Sequence, residues 1–94
     1  MCQPLLTITN FIVVPFSTGR GGELVPGRTQ NLVDRHQAIL AATKMSRYRA
    51  GVLVLEQIAD LEGRRWPEPK LVAAFGRIPQ DVIDAVTVDE RLAA

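Results

Sequence analysis

Residues 50–58 read Ala-Gly-Val-Leu-Val-Leu-Glu-Gln-Ile, and this stretch decides the fold class. Its β-branched and aliphatic residues read as a strand. Side chains alternate between the faces of a sheet, so Val52 and Val54 point one way and Leu53 and Leu55 the other. Both faces are apolar, as in strands covered on both sides.

A partner strand follows at Lys70-Leu-Val-Ala-Ala-Phe-Gly, where alternation sets Leu71 and Phe75 against Val72. The two runs are expected to pair as an antiparallel hairpin. Their connection carries Gly63, Pro67 and Pro69, with Trp66 beside the prolines, and reads as an ordered loop. Upstream, Ile8 to Phe16 is a third run of β-branched and aromatic residues. Pro15 cannot donate a ladder hydrogen bond, so this strand is expected to end near Val14 or to run at a sheet edge.

Between these strands, residues 17–29 hold Gly19, Gly21, Gly22, Pro26 and Gly27 and read as a mobile loop. A phosphate-binding loop needs Gly-Lys-Ser/Thr opening a helix, or three glycines at a strand-to-helix turn, and neither spacing occurs. A helix is expected from Gln30 to about Tyr48, capped by Thr29 or Asn31. At 100° per residue Leu32, Val33, His36, Ile39, Leu40 and Thr43 share a stripe, taken as the core face. Ala38, Ala41, Ala42 and Met45 form a flatter face, read as a reflection of helix propensity. Pro79 can open a short helix through about Val86, and residues 87–94 read as a fraying tail.

The expected architecture is therefore α+β and two-layered. It has a three-stranded sheet in strand-helix-strand-strand order, the main helix on one face and a short C-terminal helix. The whole chain, 1–94, is expected to be one domain.

Composition narrows the function classes. Hydrophobic residues make up 47% and charged residues 22%, the balance of a folded globular chain. Eleven Lys+Arg against ten Asp+Glu leave a net charge of +1, which gives no general support for nucleic-acid binding. Cys2 is the one cysteine, so an intrachain disulfide and multi-cysteine zinc sites are excluded, and a cytoplasmic setting is expected. Met1 to Thr7 is not expected to be a secretory signal, since it lacks a basic start followed by a long apolar stretch, and no apolar run approaches membrane-spanning length.

His36, the one histidine, has only Asp34 and Arg35 close in sequence within the helix, neither at the i+4 spacing of a ligand pair, so it is read as a partly buried, hydrogen-bonded core histidine. No catalytic, cofactor or metal-binding residues are assigned. An enzyme or small-ligand reading would have to combine His36 with Asp60, Glu62 or the Gly19–Gly22 loop. A nucleic-acid reading would use Arg47, Arg49, Arg64, Arg65 and Arg77, with Tyr48 or Trp66 for stacking. Acidic residues interleave with those arginines, and a solvated mixed-charge face is the ordinary interpretation.

From Tyr48 to Asp81, Ala50-Gly-Val-Leu-Val-Leu, the acidic turn at Asp60 to Gly63 and Phe75-Gly-Arg-Ile-Pro resemble a pattern in small uncharacterised bacterial proteins. There a strand ends in an acidic turn, a second strand follows, and Phe-Gly-x-x-Pro closes the unit. Trp66-Pro-Glu-Pro departs from the polar, glycine-containing turn of that pattern. The resemblance covers about a third of the chain and implies a bacterial, cytoplasmic setting but no activity.

One helix covers one sheet face, and a two-turn helix cannot shield the other. The expectation is a non-enzymatic, self-associating protein-binding or assembly module, most simply a homodimer. Leu53, Leu55, Val72 and Phe75 are the candidate interface.

Overall fold

The computed structural model describes residues 7–60 and 69–88. Its organising element is β1 (Thr7–Thr18), a twelve-residue strand paired along both edges. One edge runs antiparallel to β4 (Gly51–Asp60) from the Thr7–Asp60 pair to the Phe16–Gly51 pair. The other edge carries β2 (Leu24–Pro26) opposite residues 16–18 and β3 (Gln30–Leu32) opposite residues 11–13.

Pro15 explains the gap between β2 and β3. A strand residue directs its N–H and C=O to the same edge. The Pro15 carbonyl accepts from Gly27 N at 2.7 Å, so its missing N–H also faces the β2–β3 edge. The strand continues past Pro15, and the interruption falls on its neighbour instead.

Residues 17–29 are therefore not the expected loop. Gly19 N donates to Glu23 O at 2.7 Å and Gly22 N to Gly19 O at 3.1 Å, closing a tight hairpin between β1 and β2. Gly22 has φ +84°, the left-handed conformation that completes a short turn-and-bulge connection.

The expected helix start is also corrected, because residues 30–32 pair with the edge of β1 and satisfy its open backbone groups. α1 spans Arg35–Met45, and its cap is Asp34, whose Oδ2 accepts from Gln37 N at 3.0 Å. The helix is rotated from the expected orientation. Ala38 and Ala42 are fully buried against the sheet, while Val33, His36, Leu40 and Thr43 face solvent. The sheet already fills this layer with Phe11, Val13, Val52 and Val54, so a helix presenting small side chains packs closest. His36 is accordingly not a core histidine.

β5 (Lys70–Gly76) pairs antiparallel with β4, α2 (Gln80–Asp84) follows, and β6 (Thr87–Val88) runs parallel to β5. The sheet order is β2-β1-β4-β5-β6, with β3 beside β1. The described residues thus form a mostly-sheet α+β structure with five antiparallel strands, a two-residue parallel strand and two helices. The expected three-stranded sheet in strand-helix-strand-strand order is incorrect, because the glycine-rich segment supplies β2 and its sequel β3. Of the expected fraying tail, residues 87–88 form β6; residues 89–94 lie outside the described residues, as do Cys2, Glu62, Gly63, Arg64, Arg65, Trp66 and Pro67.

A register shift between Val54 and Leu55 of β4 marks a bulge in β5 at Val72. It breaks the alternation expected there, so Val72 and Phe75 share the α1 face while Leu71 lies on the opposite one. Two cores result. The first joins Phe11, Val13, Val52, Val54 and Val72 to α1; the second joins Phe16, Leu53 and Leu55 to Val82 and Ile83 of α2.

Candidate functional site

Among the described residues, the second sheet face is where covering is incomplete. α2 is five residues long and packs with Ile78 and Val86 over the β4–β5 side. Between α2 and β2 an open groove of about 440 Å³ remains. β1 contributes Val14 and Phe16 to it, β2 contributes Leu24 and Pro26, and β4 contributes Leu53 and Leu55. Pro79, Asp81 and Val82 form the opposite wall.

Each element's placement follows from the chain locally. Strand alternation puts Val14 and Phe16 on this face, since Phe11 and Val13 occupy the other. Pro79 is the residue that caps α2 in extended geometry, so the chain turns over the end of β5 there. Leu53 is 1% exposed and Leu55 9%, so both are buried within one chain and serve as the groove's floor rather than as projecting contacts.

The four residues of the candidate interface do not form one patch. Leu53 and Leu55 belong to the groove face, whereas Val72 and Phe75 lie beneath α1. Of the groove lining the candidate interface held only Leu53 and Leu55, and it omitted Val14, Phe16, Leu24, Pro26, Pro79, Asp81 and Val82. The signal for Leu24 and Pro26 was Leu-Val-Pro flanked by glycines, a short strand run behind a glycine turn.

Among the described residues Asp81 is the one ionisable side chain in the groove wall, and it is exposed. The groove thus offers apolar contact with a single acceptor at its rim, which suits capture of apolar side chains. His36 sits on the solvent side of α1, over the opposite sheet face. No group of three His, Cys, Asp or Glu side chains comes together among the described residues. In the Gly19–Gly22 turn, two amides are already committed to Glu23 O and Gly19 O. Among the described residues no helix is long and apolar enough to cross a membrane.

No family model, curated protein or solved structure matches this chain. The resemblance over Tyr48 to Asp81 rests on those residues alone.

Proposed function

We propose that this protein is a non-enzymatic assembly module that pairs with a second copy of itself, groove face to groove face. The observation that carries this reading is the unequal cover of the sheet. An eleven-residue helix closes the first apolar face, while a five-residue helix leaves the groove over Leu53 and Leu55 open on the second.

A second copy is favoured because a two-fold contact uses the same patch twice. Four or five Val-, Leu- or Phe-sized side chains newly covered, at about 1.5–3 kcal/mol each, would offset an association cost of about 4–15 kcal/mol. Joining along the β2–β3 edge is a poorer route. That edge is divided into two three-residue strands, one ending at Pro26, and short proline-bearing edges resist strand addition. A cytoplasmic, bacterial setting belongs to the same reading and rests on the sequence resemblance.

The test is sedimentation velocity on Asp81→Arg, which alters only an exposed groove-wall residue, and on Val82→Glu. The dimer should dissociate while the circular dichroism spectrum is retained. A folded Asp81→Arg or Val82→Glu chain that dimerises as tightly as the parent would place the interface elsewhere. Binding of a small apolar ligand by a strictly monomeric chain would make the groove a ligand site.

A further inference from the structure

Three segments distant in sequence meet at one end of the sheet, and two of them bring exposed arginines. β1 and β4 meet there at the Phe16–Gly51 pair, and β4 and β5 at the Gly51–Gly76 pair. Arg77 N donates to Ala50 O at 2.9 Å, which sets Arg77 beside the Arg47-Tyr48-Arg49 turn leaving α1. Arg49 Nη1 donates to Ser17 Oγ at 2.9 Å, tying that turn to the end of β1.

Arg47, Arg49 and Arg77 are exposed, and none of them makes an ion pair among the described residues. A guanidinium has five N–H donors, so the single bond from Arg49 to Ser17 leaves most of its capacity open. Tyr48 is 70% exposed, with the Arg49 guanidinium 5.6 Å from its ring centroid. A cation over one ring face steadies the ring and leaves its other face for a stacking partner.

In sequence, acidic residues interleave with these arginines; in the fold Glu23 stays at this end, its carboxylate over the Gly19–Gly21 turn that follows β1, whereas Asp60 and Glu56 lie further along β4. Asp60 ends β4 at the far side of the sheet, about 30 Å from Gly51 at roughly 3.3 Å per residue. Glu56 lies along the strand and pairs with Arg35 at 3.9 Å. Asp81 faces the groove, and Asp84 accepts from Gln80 at 2.9 Å. The dipole of α1 accounts for Lys44 near its C-terminus, but Arg49 and Arg77 lie beyond the helix.

We propose that this end of the sheet binds single-stranded nucleic acid, with Arg47, Arg49 and Arg77 on phosphates and Tyr48 stacking on a base. Cations lining a path and an exposed aromatic beside them are the two elements such binding needs. An acidic peptide would use the cations but not the ring face. A duplex keeps its bases stacked inside, where Tyr48 cannot reach a base face. None of the residues named for this site lines the groove, and the oligonucleotide test does not depend on self-association.

The experiment is fluorescence anisotropy with a short labelled oligouridylate over rising salt. The affinity should fall with a log–log slope of about −2, from three phosphate contacts at about 0.7 each. Arg77→Gln and Arg49→Gln should each flatten the slope by about 0.7. Tyr48→Ala should weaken binding about tenfold and leave the slope unchanged. Circular dichroism checks each variant's fold; if Arg49→Gln disturbs it, Arg77→Gln and Tyr48→Ala carry the test. No binding at low salt overturns the proposal, as does a Tyr48→Ala chain that binds like the parent. Polyaspartate binding tighter than the oligonucleotide would assign the surface to an acidic protein instead.

Discussion

Gly51 and Gly76 face each other across β4 and β5, and neither has room for a side chain. A Cβ on Gly51 would collide with the carbonyl oxygen of Arg77, and one on Gly76 with that of Ala50. Gly76 also has φ +69°, where an L side chain is strained. Both collisions are with backbone, which cannot swing aside. Gly51→Ala should therefore cost at least about 2 kcal/mol in urea unfolding. Gly22→Ala, also at positive φ but with nothing within 4 Å, should cost about 1–2 kcal/mol from the backbone conformation alone. A Gly51→Ala chain more stable than Gly22→Ala would contradict the tight β4–β5 approach.

The rotation of α1 is testable by two substitutions on its opposite sides. Ala42 is fully buried against the sheet, so Ala42→Leu should overpack that layer and cost about 1–3 kcal/mol. His36 is exposed, and His36→Gln should change stability by less than about 0.5 kcal/mol. Thermal unfolding reads both. The reverse order would restore the orientation expected from the sequence stripe.

Asp34 stands at the junction where β3 gives way to α1. Its carboxylate accepts from Gln37 N, satisfying an amide the helix cannot. Asp34→Ala should lose about 1 kcal/mol in urea unfolding, and Asp34→Ser should recover most of it. Equal loss in both would mean that the cap contributes little.

Leu53 sits on the groove floor but is almost fully buried in a single chain. Leu53→Ala should cost about 2–5 kcal/mol of chain stability, whatever the oligomeric state. A loss under about 1 kcal/mol, with weakened association, would make Leu53 an interface residue rather than a core one.

How much of this was legible follows from the competing signals. The long strands β1, β4 and β5 lie where the short β-branched and aliphatic runs placed them, because such runs favour a pleated surface. The hairpin to β2 was hidden by its own glycines, which punctuate tight turns and loose loops alike. Gln30 to Leu32 was read as helix because local pattern cannot report that β1 leaves an edge needing partners. The stripe through Val33, His36 and Leu40 outweighed the alanines on paper, yet the space above Val13 and Val54 selects Ala38 and Ala42. That both faces are apolar was readable from Leu53 and Leu55. The wall at Asp81 and Val82 was not, since it depends on where α2 lands.

The most direct test of the central claim is the absolute mass of the intact chain, by light scattering on a sizing column over a wide concentration range. Groove-to-groove pairing predicts a dimer that dissociates only on dilution. A monomer at every concentration would contradict it.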